Sequence, residues 1–547
     1  PAYADLVSPK PPSVNEIRAI LADGEAMLSF YFGRDGSFVW AVPKTGPVAF
    51  AAVDATSGEI ESKVRTLREA LEPQAAMISD IPPFDLKLGY ELYSLLLKPV
   101  ESGWKGAKSL IVVTNGALGL LPLSLKRPFL GALMFAIIGL ANPHRFTWGF
   151  AYSMPWAQAY AGVTILGMLF TSERMLGDSI KRYFPVLLYL AWMGVTTIFA
   201  MEQADAAHRW IEVMKVHVMC LVTLSLLTDW ERIKQLVWAV VCSIGFFGLK
   251  GGIFTITSGG EFLVWGPPQS AIQDNNHLAV GLVITLPLMY WLFTQAKRKW
   301  LRALIAFSAL MTVVSIFGSH SRSAFLGIAA MSVFLLLKSQ HKFAVGAVGV
   351  IVAAALASFM PAEYWGRMKT IETYQEDASA MGRINVWHTA VNIANDRITG
   401  AGFEYYGPHA FRKYAPNPED IHASHSIYFQ AIGEHGWIGF GMFAFIWLYV
   451  WSRCRRTIRQ AKHSDDGVAM ALLARMIQVS LVGFAVGGAF VNIGNWDMMY
   501  YLAAAALGAA RVAQTAAQGQ VEDRRSAWPQ ARRAAPRAVG SATGVSR

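Results

Sequence analysis

WLRALIAFSALMTVVSIFGSHSRSAFLGIAAMSVFLLLK, residues 300–338, reads as two apolar helices joined by a Gly-Ser-His-Ser-Arg turn. Each arm, 300–317 and 322–338, approaches the roughly 20 residues that cross a ~30 Å hydrocarbon core. The turn between them carries a histidine and an arginine. A cation and a titratable ring placed between two spans sit at a membrane surface, where they can meet a charged substrate. The stretch therefore predicts a membrane fold and points to chemistry at one face of it.

Working outward, similar apolar stretches recur along most of the 547 residues. About twelve are expected: 128–141, 156–171, 184–201, 210–228, 233–257, 277–295, 300–317, 322–338, 342–360, 427–451, 471–493 and 498–513. The composition agrees, with 54% hydrophobic and only 16% charged residues, where globular domains carry about 25% charged. The predicted class is a polytopic all-α membrane protein with a small N-terminal α/β fragment. The net charge of +11 is dispersed in short clusters between apolar runs and in the tail, which fits a bilayer rather than nucleic acid. Cys220, Cys242 and Cys454 lie in or beside apolar segments without CxxC spacing, so neither a disulfide framework nor a zinc site is expected. The first thirty residues lack the basic-then-apolar pattern of a cleavable signal peptide.

Basic residues concentrate in alternate loops: Lys126 and Arg127, Lys181 and Arg182, Lys297 to Lys299, Lys338 and Lys342, and Arg453 to Lys462. The positive-inside rule makes these cytoplasmic. It leaves Arg322, the Asp274 region and a large loop over 361–426 on the outer face. Three parts follow: residues 1–123, a membrane domain over 124–513, and a basic tail over 514–547 that reads as disordered, cytoplasmic and able to touch anionic headgroups. In the first part, Ala26–Phe32 and Ser37–Val42 read as strands about a Gly33-Arg34-Asp35-Gly36 hairpin signal, and Glu59–Leu71 as an amphipathic helix. Asn115, Gly116 and Pro122 make 109–125 a poor membrane helix, which favours a cytoplasmic N-terminal part.

Ionisable residues inside apolar segments are costly and nominate themselves as functional. Lys215 and Lys250 are such residues, although long side chains can also snorkel to the interface. Arg322 has a forked, permanently charged head suited to phosphate oxygens at a helix N-terminus, or it is an interfacial anchor. Arg383, in Gly382-Arg-Ile-Asn-Val-Trp387, begins an amphipathic helical stretch. His425, in His422-Ala-Ser-His-Ser426, borders a span, where an imidazole with a pKa near ~6.5 can serve as a general base or simply enter the helix. His422 and His425 lack a third ligand at helical spacing, so no metal is expected. Asp274, Asn276 and His277 at the mouth of the 277–295 span either cap that helix or contact sugar hydroxyls.

These motifs, with Ser321-Arg-Ser-Ala-Phe-Leu-Gly327, Gly400-Ala-Gly-Phe403 and His425-Ser426, resemble the O-antigen ligase and polymerase superfamily over about 120–513. Ala141-Asn-Pro-His-Arg145, Trp148-Gly-Phe150, Gly248-Leu-Lys-Gly-Gly252 and Asp274-Asn-Asn-His277 look more narrowly like its branch of O-glycosylation ligases associated with exosortase systems. The resemblance implies a GT-C-like, metal-independent, inverting glycosyltransferase that needs no cofactor. It would sit in the bacterial inner membrane and move a glycan from undecaprenyl pyrophosphate to a protein, lipid or glycan acceptor on the periplasmic face. Arg322 and Arg383 would match the family's two pyrophosphate-engaging arginines, and His425 its essential histidine. A polysaccharide polymerase would share the donor and the topology; a transporter of lipid-linked sugars is a rival of another class, against which the lack of an internal repeat and the large single outer loop weigh. Tyr90–Pro99 followed by Ser109–Leu123 resembles the N-terminal half of a CHAT domain, without the half that carries that family's catalytic residues. It stands where superfamily members begin with an apolar helix.

Overall fold

The computed structural model describes residues 13–32, 37–56, 58–60, 62–63, 66, 85–113, 127–146, 152, 154–171, 174–268, 270–338, 378–461 and 465–534. The Gly33–Gly36 turn, most of 61–71, Trp148–Phe150, the expected 342–360 span and the first part of the 361–426 loop lie outside the described residues. The chain forms two compact units, Pro1–Lys126 and Arg127–Arg547.

The first unit is built on a four-stranded sheet of order β3-β2-β1-β4, where β1 is Glu25–Phe32, β2 Ser37–Pro43, β3 Ala49–Val53 and β4 Ser109–Val113. β1 pairs antiparallel with β2, Phe30 opposite Val39, and parallel with β4, Leu28 opposite Val112. Period-two alternation turns Ala26, Leu28 and Phe30 inward with Val39 and Ala41. Ile60 and Val100 complete that core. Helix α1 (Val14–Ile20) begins with a reciprocal Ser13–Glu16 capping box, and α2 (Leu86–Leu96) is capped by Asp85.

The second unit is helical. Its elements are α3 (Pro128–Ala141), α4 (Trp156–Phe170), α5 (Leu176–Ile198), α6 (Gln203–Leu226), α7 (Trp230–Thr257), α8 (Asn275–Gln295), α9 (Lys299–Gly318), α10 (Arg322–Lys338), α11 (Ala378–Asp396), α12 (Pro408–Tyr414), α13 (Ile427–Gln460), α14 (Asp465–Gly487) and α15 (Asp497–Ala534). Among the described residues, four segments are long and apolar enough to cross a membrane: Trp230–Thr257, Asn275–Gln295, Lys299–Gly318 and Asp466–Phe490. Two further apolar helices, α3 and α4, are shorter. The expected span 342–360 lies outside the described residues, and α10, at 17 residues, is one of the shorter helices. Several expected spans belong to helices that also carry charge, as α5 does at Asp178, Lys181 and Arg182 and α6 at Asp205, Arg209, Glu212 and Lys215.

Close helix contact explains one motif. The Gly248-Leu-Lys-Gly-Gly252 segment is where α7 meets α9: a Cβ at position 252 would stand 2.1 Å from the Met311 carbonyl oxygen, and one at 248 would stand 2.3 Å from Thr312 Oγ1. Small residues let two backbones approach this closely where van der Waals packing holds helices together. A polar staple fastens the last helix. Arg511 on α15 is buried and donates to Ser179 Oγ at 3.2 Å and to the Leu224 carbonyl at 3.1 Å, with Asp178 alongside at 3.5 Å.

The start of α8, the end of α9 and the start of α10 meet, and the start of α13 and the end of α14 join them. Asn275 Nδ2 donates to the Ser319 carbonyl at 2.8 Å. The 310 turn Gly488–Phe490 that follows α14 is so close to Ile427 that a Cβ at Gly488 would stand 2.8 Å from its Cδ1.

Candidate active site

The floor of this meeting point is the first turn of α8. Asp274 caps it, accepting the backbone N–H groups of Asn276 at 2.9 Å and His277 at 3.3 Å, as an N-terminal carboxylate should. The His277 ring turns back so that Nδ1 lies 3.1 Å from the same oxygen. Its Nε2 receives the backbone N–H of Asn492 at 3.3 Å. The ring is thus held through both nitrogens, between Asp274 and the Asn492 backbone. Burial raises the Asp274 carboxyl, but the hydrogen bonds and charge of His277 and the bonds from Asn276 outweigh it and hold the group well below the usual range. Asn276 itself donates to Asn275 Oδ1 at 3.3 Å.

Over this floor stands the His425 loop. Asn492 Oδ1 accepts Ser424 Oγ at 2.7 Å and the Ser426 N–H at 3.0 Å, holding both chain neighbours of His425. Between them His425 takes a left-handed φ of 42°, a conformation that costs a non-glycine residue on the order of 1 kcal/mol and persists only where the surroundings enforce it. Its ring centroid is 6.5 Å from that of His277.

α11 closes one side. Trp387 Nε1 donates to the Ser424 carbonyl at 2.8 Å, and the indole stacks on Phe429 with centroids 4.8 Å apart. One helical turn earlier on the same face is Arg383. Asn385 ties α11 to the following loop through the carbonyls of Asn417 at 2.8 Å and Asp420 at 3.0 Å. His422 is half-exposed and pairs with Asp420 at 2.7 Å. Burial pushes the His425 imidazole down to about 4, aided by the charges of Arg383, His277 and His422 and opposed by Asp274. At neutral pH His425 is thus unprotonated.

Gly382 permits this closure. A Cβ there would stand 2.6 Å from His422 Cδ2 and 3.0 Å from its Nε2. Gly382→Ala is expected to displace the His422 ring and lift the start of α11 while leaving the fold standing. Misplacement of ~1 Å near a reacting centre can cost about 10²-fold in rate, so turnover should fall far more than the unfolding temperature; equal turnover in the variant would show that the contact is idle.

Arg322 opens α10, half-buried, at the same end of the unit. Ser321 Oγ accepts the Ala324 N–H at 3.3 Å to cap the helix. His320 has a φ of 52°, and its Nε2 donates to the Gly260 carbonyl at 3.0 Å. Backbone strain thus occurs on both loops that carry nominated side chains, as it does at functional sites generally.

Asp274, His277, Arg383, His422 and His425 are brought together. The two lysines are placed otherwise. Lys250 lies 5.6 Å from the centroid of the Phe146 ring, lining a separate cavity of about 280 Å³ beside Trp265 and Pro267. Lys215 is exposed on α6. Among the described residues no group of three His, Cys, Asp or Glu side chains could hold a metal ion.

Over residues 307–444 the chain matches the family described as O-Antigen ligase. That match contains Arg322, Arg383, His422 and His425. Residues 110–297 match a family of unknown function, and these include Lys215, Lys250, Asp274, Asn276 and His277. No curated protein matches the chain. The ligase match and the apolar helices together point to a membrane protein, one region of which is similar to a glycan-transferring ligase family.

Three polar groups escape a reading from motifs. Asn492 joins the two histidine loops. Its signal is the interruption Val491-Asn-Ile-Gly-Asn-Trp-Asp497 between two apolar runs. Asp420 orients His422 and lies in a polar loop with nothing to mark it. Glu434 and His435 form a buried pair 3.6 Å apart, with His435 Nδ1 2.8 Å from Thr196 Oγ1, beside a break in α13 at Gly436. As ionisable neighbours within an apolar run, they could have been found.

Proposed function

We propose that the chain is a membrane glycosyltransferase that moves a glycan from undecaprenyl pyrophosphate to an acceptor hydroxyl, with its site facing the bacterial periplasm. The observation that carries this reading is the juxtaposition of an unprotonated, half-buried His425 with the charge of Arg383 inside a region that matches O-antigen ligases. Arg383 and Arg322 hold the pyrophosphate. Both are permanently charged, and guanidinium forks suit phosphate oxygens. The acceptor oxygen attacks the anomeric carbon, the bond from that carbon to the phosphate oxygen breaks, and its electron pair leaves with the lipid pyrophosphate. His425 takes the acceptor proton. Attack from the face opposite the leaving group inverts the configuration. Asp274, Asn276 and His277 line the sugar side, and His422 stands at the outer edge.

The acceptor decides between ligase and polymerase, which share the donor. We favour the ligase, in the exosortase-associated branch suggested by the Gly248–Gly252 and Asp274–His277 motifs. The N-terminal unit, which resembles half of a CHAT domain, is read as an interaction module without peptidase chemistry. The test is reconstitution of the full chain in vesicles with lipid-pyrophosphate-linked glycan and candidate acceptors. Glycan appearing on protein or on a lipid core, with release of undecaprenyl pyrophosphate, supports the ligase. Longer lipid-linked chains alone would make it a polymerase, and glycan carried across the bilayer without bond exchange would sink both.

A further inference from the structure

At the end of the helical unit away from Arg322, the structure holds a second cavity of different character. Helices α8, α10, α13 and α14 line a half-open cavity of about 970 Å³, at the upper end of small-molecule sites. Its walls are apolar, supplied by Ile328, Met331 and Leu335 of α10 and by Met476 and Val479 of α14 among others. Four cations also line it: Lys338, Arg455, Arg459 and Arg475. No acidic residue does, and none of the four makes an ion pair among the described residues. Lys338 is at the opposite end of α10 from Arg322, about 24 Å away at ~1.5 Å per residue.

Arg475 is the telling member. It lies within the candidate span Asp466–Phe490, about 13 Å along that helix from Asp466 at ~1.5 Å per residue. An arginine so placed is expensive in a bilayer unless something anionic meets it. Along α14 it shares a stripe with Leu472, Met476 and Val479, so a single ligand must present both charge and hydrocarbon. A free phosphate would satisfy the cations and leave the apolar wall idle. A neutral lipid would do the reverse.

We propose that this cavity is a binding site for an acidic phospholipid of the surrounding bilayer. Its phosphodiester is held by Arg455, Arg459, Arg475 and Lys338, and an acyl chain lies along α10 and α14. Basic pockets between membrane helices bind anionic headgroups in this manner. The site is separate from the proposed reaction centre, and its test does not use glycan transfer.

The full chain is placed in nanodiscs of phosphatidylcholine containing a minor fraction of phosphatidylglycerol, released, and examined by native mass spectrometry for retained lipid. Phosphatidylglycerol is expected to be retained in preference to phosphatidylcholine. R475Q should reduce that preference about fivefold and R455Q/R459Q/R475Q about a hundredfold, the usual increment per basic residue at an anionic surface. The corresponding Arg→Lys variant keeps the charge and should retain most of the preference, which separates loss of the site from loss of the fold. L335W, which fills the wall, should also weaken retention. No preference in the wild-type chain, or full preference in the triple Gln variant, would overturn the proposal. So would an equal loss on neutralising Lys297, Arg298 and Lys299, which lie outside the cavity, because general surface charge would then explain the effect. Occupation of the cavity by another segment of this chain would appear as the first of these outcomes.

Discussion

His425→Asn is expected to lower glycan transfer by about 10²–10⁴-fold, the range a positioned general base contributes, while the protein folds and retains its lipid-linked donor. Asparagine is the informative substitution. His425 occupies a left-handed backbone conformation that asparagine tolerates better than alanine does, so H425N removes the imidazole with little added strain. H425A should lose both the base and on the order of 1 kcal/mol of stability. The pH profile supplies an independent check. Burial and the Arg383 charge hold the free imidazole near about 4. A base acts when unprotonated, so kcat/KM, which reports the free enzyme, should stay level through the ordinary histidine range near ~6.5 and fall only as pH approaches about 4. Bound pyrophosphate would offset the charge of Arg383 and raise the affinity of the ring for a proton. The acid limb of kcat should therefore lie higher than that of kcat/KM. A limb near ~6.5 in both profiles, or full activity in H425N, would remove His425 from the role of base. Stability follows the same sign. Because the folded state depresses this pKa from that of an exposed histidine, the contribution is complete above ~6.5 and is lost as pH falls through about 4.

Much of this was legible because membrane chemistry writes itself into composition. Apolar runs and basic loops mark helices and their ends, and the polar residues left at those ends stand out. Arg322, Arg383, His425 and the Asp274–His277 turn could be nominated for that reason. The strands Ala26–Phe32 and Ser37–Val42 were legible through period-two alternation, and the structure pairs them. What the sequence withheld is of two kinds. Asn492 and Asp420 act only through partners more than 60 residues away or in an unremarkable loop, and no local pattern encodes such a bond. Lys250 stands beside glycines that serve the contact between α7 and α9, and its head rests over Phe146, a placement that its position in an apolar run does not encode. Span number was harder to read because apolarity decides it only where charge is absent. In α5 and α6 charged residues share the helix with apolar ones, and hydropathy alone does not say which residues the bilayer covers.

Arg383→Gln carries the other large effect. On the proposed mechanism Arg383 both binds the pyrophosphate and tunes the imidazole beside it, so its loss should act twice and in opposite directions. Removing a preorganised charge that stabilises the leaving group costs about 10²–10³-fold. Removing the same charge from beside His425 relieves one cause of its depressed pKa, which makes the ring a better base but shifts its acid limb upward. The signature of R383Q is therefore a large fall in rate at neutral pH together with an acid limb nearer the ordinary histidine value. R383K separates the two parts: a point charge still repels a proton from His425, whereas the forked, two-bond grip on phosphate is lost. It should keep the low acid limb and still lose most of the rate. Arg322→Gln, by contrast, should lower the rate and move the limb less than R383Q does, since Arg383 is the largest of the charges that shift His425 and Arg322 is not among the leading ones. Measuring kcat/KM against pH for these three variants thus distinguishes an arginine that faces the base from one that only faces the donor. If R383Q left the acid limb where the wild-type chain has it, Arg383 would not stand beside the base when the enzyme works, and the assignment of the pair would fail even if the rate fell as expected.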